Sequence, residues 1–61
     1  MITAKQIDHI LTPMFRAVEY VRDAHWVQAD QRADRLYAAR TKALEAVKRI
    51  DAALGLEPSQ S

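Results

Sequence analysis

Apolar residues recur along both halves of the chain at alternating steps of three and four. The first half carries such a row, which turns polar at its end: Ile7, Leu11, Met14, Val18, Val21, His25 and Gln28. The second half carries another: Ala33, Leu36, Arg40, Ala43, Val47, Ile50 and Leu54. Steps of three and four place side chains on one side of an α-helix, and such a row is typical of the surface that a helix buries. We therefore predict two long amphipathic helices that pack along these rows.

The two rows are out of phase with each other, which predicts a turn between them. From the last residue of the first row to Ala33 the step is five residues, and this spacing fits neither three nor four. We expect the chain to reverse within residues 28–32 and to form a helical hairpin, with Asp30 as the cap of the second helix. The alternative is one long helix, in which Ala29 links His25 to Ala33 by two steps of four.

Local signals at the ends and at one proline refine this prediction. Thr3 is a suitable N-cap, Gly55 is a suitable stop for the second helix, and a frayed tail is expected from about residue 56. Pro13 follows a threonine, so it either breaks off a short helix over residues 4–11 or kinks a continuous first helix. All 61 residues are expected to form one helical domain.

Composition supports an all-α fold that needs partners. One glycine and two prolines among 61 residues leave little material for strands and turns. A chain of this length buries too little surface alone to be comfortably stable, so we predict a homo-oligomeric bundle. The chain has no cysteine and two histidines, so we expect no disulfide, metal or cofactor to stabilise it.

Charge and hydropathy indicate a compartment and disfavour one class of partner. No signal peptide or membrane span is recognised in the sequence, which predicts a cytoplasmic protein. Nine basic and eight acidic residues give a net charge of +1. A protein that binds nucleic acid mainly through charge is expected to carry a strongly basic face, so this balance disfavours that class.

Arg40 is the one residue of the second row that is not apolar. Its guanidinium cannot lose its charge, so burial requires a carboxylate, a set of acceptors or an anionic ligand. One interpretation is a structural ion pair with Glu19, Asp23 or their copies in an oligomer. The other is recognition of a phosphate or carboxylate, to which the planar guanidinium fork is suited.

Three further side chains near the predicted turn are candidates for the same ligand site. His25 lies in the first row, where it is either hydrogen-bonded in an interface or in contact with a ligand. Trp26 and Tyr37 lie at the margins of the two rows, close in sequence to several arginines. Aromatic rings beside a cation can stack a base while the cation holds its phosphate. The same residue types are also enriched at protein interfaces.

A second apolar flank of the first helix predicts a partner surface. Tyr20 and Val27 fall away from the first row, together with Ala17 and Ala24. A helix that is apolar over more than one stripe has a second surface to bury. We predict that Tyr20 and Val27 contact another subunit or a target protein.

Basic residues recur every seven positions in the second helix, at Arg35, Lys42 and Arg49. We expect them on its outer face, as a solvated stripe with a Glu45–Arg49 pair or as a stripe that follows a polyanion. The sequence contains no phosphate-binding glycine loop, zinc-protease motif or nucleophile elbow. No acid, base and nucleophile can be assembled at usable spacing, so we predict that the protein is not an enzyme.

A resemblance to a known family is carried by one stretch of the second half. It comprises Leu36-Tyr37-Ala38-Ala39-Arg40-Thr41-Lys42, Leu44-Glu45-Ala46-Val47 and the closing Ala52-Ala53-Leu54. This stretch resembles the second helix of small phage hairpin proteins that sequester nucleotide signals of bacterial antiphage defence. The resemblance implies an oligomeric, non-catalytic sponge with ligand pockets where hairpins meet, and it adds Thr41 and Lys42 to Arg40 as ligand-binding residues.

Three functions follow as expectations. The first is sequestration of a cyclic nucleotide or a related signal, which would inhibit host antiphage defence from the host cytoplasm. The second is inhibition of a host regulatory protein by a small phage- or plasmid-encoded protein. The third is RNA binding, because the chain is similar in size and architecture to plasmid-encoded RNA-binding four-helix bundles.

Overall fold

Two antiparallel α-helices form a hairpin in the computed structural model, which describes residues 1–56. Helix α1 is Ala4–Trp26, a single 3-10 turn follows at Ala29–Gln31, and helix α2 is Arg32–Leu54. No strand is present in these 56 residues. The predicted all-α hairpin is confirmed, and the chain reverses within the predicted turn. The alternative of one long helix is wrong.

Both predicted helix ends are confirmed in atomic detail. The Thr3 hydroxyl accepts a hydrogen bond from the Gln6 amide at 3.2 Å, and the Gln6 side-chain oxygen accepts one from the Thr3 amide at 2.8 Å. This reciprocal pair is a capping box. Gly55 has a φ of 74°, a left-handed conformation that glycine adopts without steric cost, and its amide bonds back to α2. Most of the predicted frayed tail, residues 57–61, lies outside the described part of the chain.

Two local predictions need correction. Pro13 does not break off a separate helix over residues 4–11, because α1 continues through it. Asp30 does not cap α2, since the residue before that helix is Gln31 and no side-chain hydrogen bond forms there. The backbone of the turn explains this, because the Gln28 and Ala29 carbonyls accept hydrogen bonds from the Gln31 and Arg32 amides.

Small residues form the contact between the helices. The four residues buried within the described chain are Pro13, Ala24, Ala39 and Ala46. Alanines repeat every seven residues along this contact, at Ala17 and Ala24 in α1 and at Ala39, Ala46 and Ala53 in α2. A seven-residue repeat keeps one side of a helix against its neighbour, and alanine allows the two backbones to approach closely.

The prediction that the two rows pack against each other within the hairpin is therefore wrong. Leu11 and Ile50 are half-buried, whereas most of the larger side chains of both rows are exposed. Successive residues are about 100° apart around a helix, which places the alanine contact roughly 90° from the row on each helix. The rows were recognised correctly as continuous apolar stripes, but they do not face each other.

The position of the alanine contact on each helix also corrects two other predictions. Tyr20 and Val27 do not lie on an outer flank, because both are half-buried on the side of α1 that faces α2. Likewise Arg35, Lys42 and Arg49 are half-buried instead of lying on the outer face of α2. Their seven-residue spacing is that of the alanine contact, which they border.

An arginine from α2 bonds to a carbonyl that Pro13 leaves without its helical partner. Proline has no amide hydrogen, so the carbonyl of His9, four residues earlier, lacks its usual intrahelical donor. The Arg49 guanidinium donates to this carbonyl at 2.6 Å and also to Glu45 at 3.0 Å. The predicted Glu45–Arg49 pair is confirmed. Pro13 thus creates an acceptor that helps to hold the open end of the hairpin together.

Removal of the hydrogen bond from Arg49 to the His9 carbonyl should show that Arg49 and Pro13 are energetically coupled. We expect Arg49→Met to lower the free energy of unfolding by about 2 kcal/mol, because a charge-assisted hydrogen bond is lost. In the Pro13→Ala background the loss should be smaller by about 1 kcal/mol, since residue 13 then supplies the missing amide donor. Urea unfolding of the wild type, the two single variants and the double variant measures this coupling. Lys48→Met is the control, and equal losses in both backgrounds would contradict the assignment.

The hairpin is one helix layer thick, and its two broad sides differ. Its principal extents are 44, 28 and 8 Å. Because α1 and α2 are antiparallel, a similar rotation from the contact in each helix brings both rows to the same side of this layer. We call this side the apolar face: Ile7, Leu11, Met14, Val18, Val21, Ala33, Leu36, Ala43, Val47, Ile50 and Leu54. The opposite side is polar and includes Lys5, His9, Thr12, Arg16, Thr41 and Lys48.

Neither helix of the described chain combines the length and apolar character that a membrane crossing requires.

Candidate functional site

Arg40 lines a shallow groove at the outer margin of the apolar face. The groove has a volume of about 280 Å³ and is formed by Ala33, Leu36, Tyr37 and Arg40 on α2. We call it the Arg40 groove. Residues three and four apart on a helix are surface neighbours, which brings Arg40 beside Leu36 and Tyr37. The result is one permanent cation next to an aromatic ring and an apolar floor.

The Arg40 guanidinium makes no ion pair and no side-chain hydrogen bond within residues 1–56. The ion pairs of this segment join Arg16 to Glu19 at 3.8 Å and Glu45 to both Lys42 and Arg49. Glu19, a predicted partner of Arg40, is therefore occupied by a neighbour on its own helix. Arg40 is also exposed in the hairpin, so the prediction that it is buried between the helices is wrong.

The two other candidates near the turn do not reach this groove. His25 and Trp26 are both exposed at the end of α1, with their ring centroids 4.8 Å apart in an edge-to-face arrangement. Neither side chain lines the Arg40 groove. Tyr37 does line it and is 68% exposed, so its ring is accessible. The structure thus brings Tyr37 to Arg40 and leaves His25 and Trp26 as a separate pair.

Thr41 and Lys42, which the family resemblance added, also lie away from the groove. The Thr41 hydroxyl donates to the Tyr37 carbonyl at 3.1 Å, as exposed threonines in helices commonly do. The Lys42 ammonium is half-buried and pairs with Glu45 at 3.3 Å. Both side chains already have partners, so Arg40 and Tyr37 are the two of the six predicted ligand residues that the geometry joins.

A second groove was not anticipated from the sequence. It has a volume of about 370 Å³, lies between the two helices at the open end of the hairpin, and is lined by Gln6, His9, Glu45, Lys48, Arg49, Ala52 and Ala53. Its two walls come from opposite ends of the chain, so only the hairpin register brings them together. The guanidinium of Arg49, one of its lining residues, donates hydrogen bonds to the His9 carbonyl and to Glu45.

Within residues 1–56, no three His, Asp or Glu side chains come close enough to hold a metal ion.

No protein-family model, characterised protein or solved structure matches this chain.

Proposed function

We propose that the protein is a non-enzymatic, self-associating binding protein that holds a nucleotide-derived signal in the Arg40 groove. The observation that carries this proposal is the free guanidinium of Arg40 beside the accessible ring of Tyr37. A structural ion pair would require a carboxylate bonded to Arg40. No carboxylate is bonded to Arg40 within the described chain.

The chemistry of the groove fits a phosphate attached to a planar ring. The guanidinium fork donates two parallel hydrogen bonds to a phosphate, and the faces of aromatic rings stack on bases. The exposed Ala33 and Leu36 side chains add apolar surface beside the guanidinium. The groove volume of about 280 Å³ is close to the lower limit of small-molecule pockets, roughly 300 Å³. A second copy of the chain would supply a further wall.

The biological role follows from the resemblance of residues 36–54 to phage signal-sequestering hairpins. A protein that binds such a signal without converting it lowers its free concentration and so inhibits the defence that the signal activates. The protein would bind such a signal in the host cytoplasm.

The hairpin geometry weakens the arguments for the two alternative functions. RNA binding would use the basic stripe of Arg35, Lys42 and Arg49, but two of these, Lys42 and Arg49, are engaged by Glu45 within the hairpin. Inhibition of a host protein rested on an outer flank at Tyr20 and Val27, which instead face the other helix.

Native mass spectrometry of freshly purified protein tests the proposal, because it reports copy number and any retained molecule together. We expect an assembly of copies with additional mass that corresponds to a phosphate-bearing small molecule. Collisional activation should release this mass, and tandem fragmentation should yield nucleotide fragments. An Arg40→Ala sample prepared in parallel should assemble without the extra mass. Wild-type protein that binds none of a panel of cyclic dinucleotides, cyclic trinucleotides and ADP-ribose on addition would contradict the proposal.

A further inference from the structure

The hairpin leaves almost all of its large apolar side chains in contact with solvent. The residues buried between its helices are three alanines and one proline, and no large side chain of residues 1–56 is fully buried. A single hairpin therefore lacks the core that normally stabilises a fold.

Seven of the fourteen exposed large apolar side chains of residues 1–56 lie on the apolar face, whereas others, such as Phe15 and Leu44, are exposed elsewhere. Val18 is 64% exposed, Met14 43% and Val47 49%, and all three belong to the apolar face. A helix of 23 residues is about 34 Å long, and two side by side are about 20 Å wide. The face therefore covers roughly 700 Å² in projection, close to the approximately 800 Å² per partner of a stable protein interface.

The spacing of the apolar face is symmetric about its own centre. In α1, Ile7 and Val21 lie seven residues on either side of Met14. In α2, Leu36 and Ile50 lie seven residues on either side of Ala43. The hydrogen bond between Arg49 and the His9 carbonyl fixes the register of the hairpin, and in this register Met14 and Ala43 lie at nearly the same level. A two-fold axis at that level would therefore place each row of a second copy over the same row of the first copy.

We propose that a second copy of the chain covers the apolar face, with the two hairpins stacked face to face about this axis and their turns at opposite ends. The stack places Ile7 of one copy over Val21 of the other, and Leu36 over Ile50. Each helix then opposes its own copy in antiparallel orientation and the four helices share an apolar core.

A second copy fits better than an occasional partner for two reasons. The face is exposed in every folded hairpin, which fully buries no large side chain of residues 1–56, so a partner that is present at all times suits it. A copy of the same chain is always available, and the symmetric spacing of the rows suits it. The stack also leaves Arg40 near its rim, across from Val47 of the other copy and not from a carboxylate. This inference rests on the self-association in the proposed function and gives it a geometry, whereas ligand binding in the Arg40 groove is tested separately.

Glutamate substitutions on the two sides of α1 test the stack. Met14 lies at the centre of the apolar face, whereas Thr12 lies on the polar side, and both are exposed in a single hairpin. Met14→Glu would bury two unpaired carboxylates at the two-fold axis, which is strongly unfavourable. We expect it to raise the dimer dissociation constant by about a hundredfold or more, whereas Thr12→Glu should change it by less than about threefold.

Analytical ultracentrifugation and thermal unfolding over a hundredfold range of concentration provide the measurements. Wild-type protein and Thr12→Glu should sediment as two copies, with a Tm that rises with concentration because association is coupled to folding. If Met14→Glu cannot fold, the concentration dependence of the wild-type Tm still tests the stack. A wild-type monomer with a constant Tm, or a Met14→Glu variant that associates as tightly as Thr12→Glu, would overturn the inference.

Discussion

Replacement of Ala46 by leucine is expected to lower the free energy of unfolding by about 3 kcal/mol, near the upper end of the cost of overpacking. Ala46 is 2% exposed and lies in the middle of the alanine contact. Three additional carbon atoms have no space there unless the helices separate. Their separation would also strain the hydrogen bond from Arg49 to the His9 carbonyl, which depends on the close approach of the two backbones.

Ala52→Leu is the matched control for this experiment. Ala52 lies on the same helix, six residues after Ala46. It is exposed, so the same change should alter stability by less than about 0.5 kcal/mol. Urea unfolding followed by circular dichroism measures both variants. Equal effects at the two positions would show that the alanine contact does not hold the helices together.

The helices and their ends could be predicted from the sequence because their causes are local. The reciprocal bonds of Thr3 and Gln6 span three residues, and the left-handed Gly55 terminates α2 wherever that helix packs. The turn was also predictable, since a break in apolar phase requires no knowledge of tertiary contacts. Asp30 was misassigned because a backbone 3-10 turn satisfied the amides that its side chain was expected to cap.

The side of each helix that faces the other was not predicted correctly. Large apolar residues were expected between the helices, yet alanines occupy that contact and the large residues form a face of their own. The stripe of large apolar residues and the stripe of alanines are both visible in the sequence. The size of the side chains alone does not decide which stripe packs within the hairpin. The seven-residue repeat of Ala39, Ala46 and Ala53 was the available signal, because such a regular run of small residues is typical of close helix contact.

The candidate site was predicted in part for similar reasons. Arg40 and Tyr37 belong to one helix, three residues apart, so their proximity follows from helix geometry. His25 and Trp26 are on the other helix, and whether they reach Arg40 depends on rotation about the α1 axis. The link between Pro13 and Arg49 through the His9 carbonyl was beyond prediction, because it depends on register between residues 40 positions apart.

Arg40→Leu is expected to separate the role of this residue in binding from its effect on stability. Leucine would complete the apolar row, so in a face-to-face assembly we expect the free energy of unfolding to rise by about 1 kcal/mol. The same change removes the only guanidinium of the groove and should weaken ligand binding at least a hundredfold, since charge-assisted bonds to phosphate are lost.

Arg40→Lys serves as the control, because it keeps the charge but loses the planar fork. We expect it to bind more weakly than wild type, by about tenfold, and to leave stability nearly unchanged. A loss of binding in Arg40→Leu without any loss of helical structure would assign the guanidinium to the ligand and not to the fold.

The central claim is that Arg40 holds an anion, and isothermal titration calorimetry of wild type and Arg40→Leu tests it most directly. Cyclic dinucleotides, cyclic trinucleotides and ADP-ribose are the probes, with a thermal melt of each protein run in parallel. We predict that wild type binds at least one probe and that Arg40→Leu binds none, although it melts at an equal or higher temperature. An Arg40→Leu variant that is more stable and binds as tightly as wild type would contradict the claim.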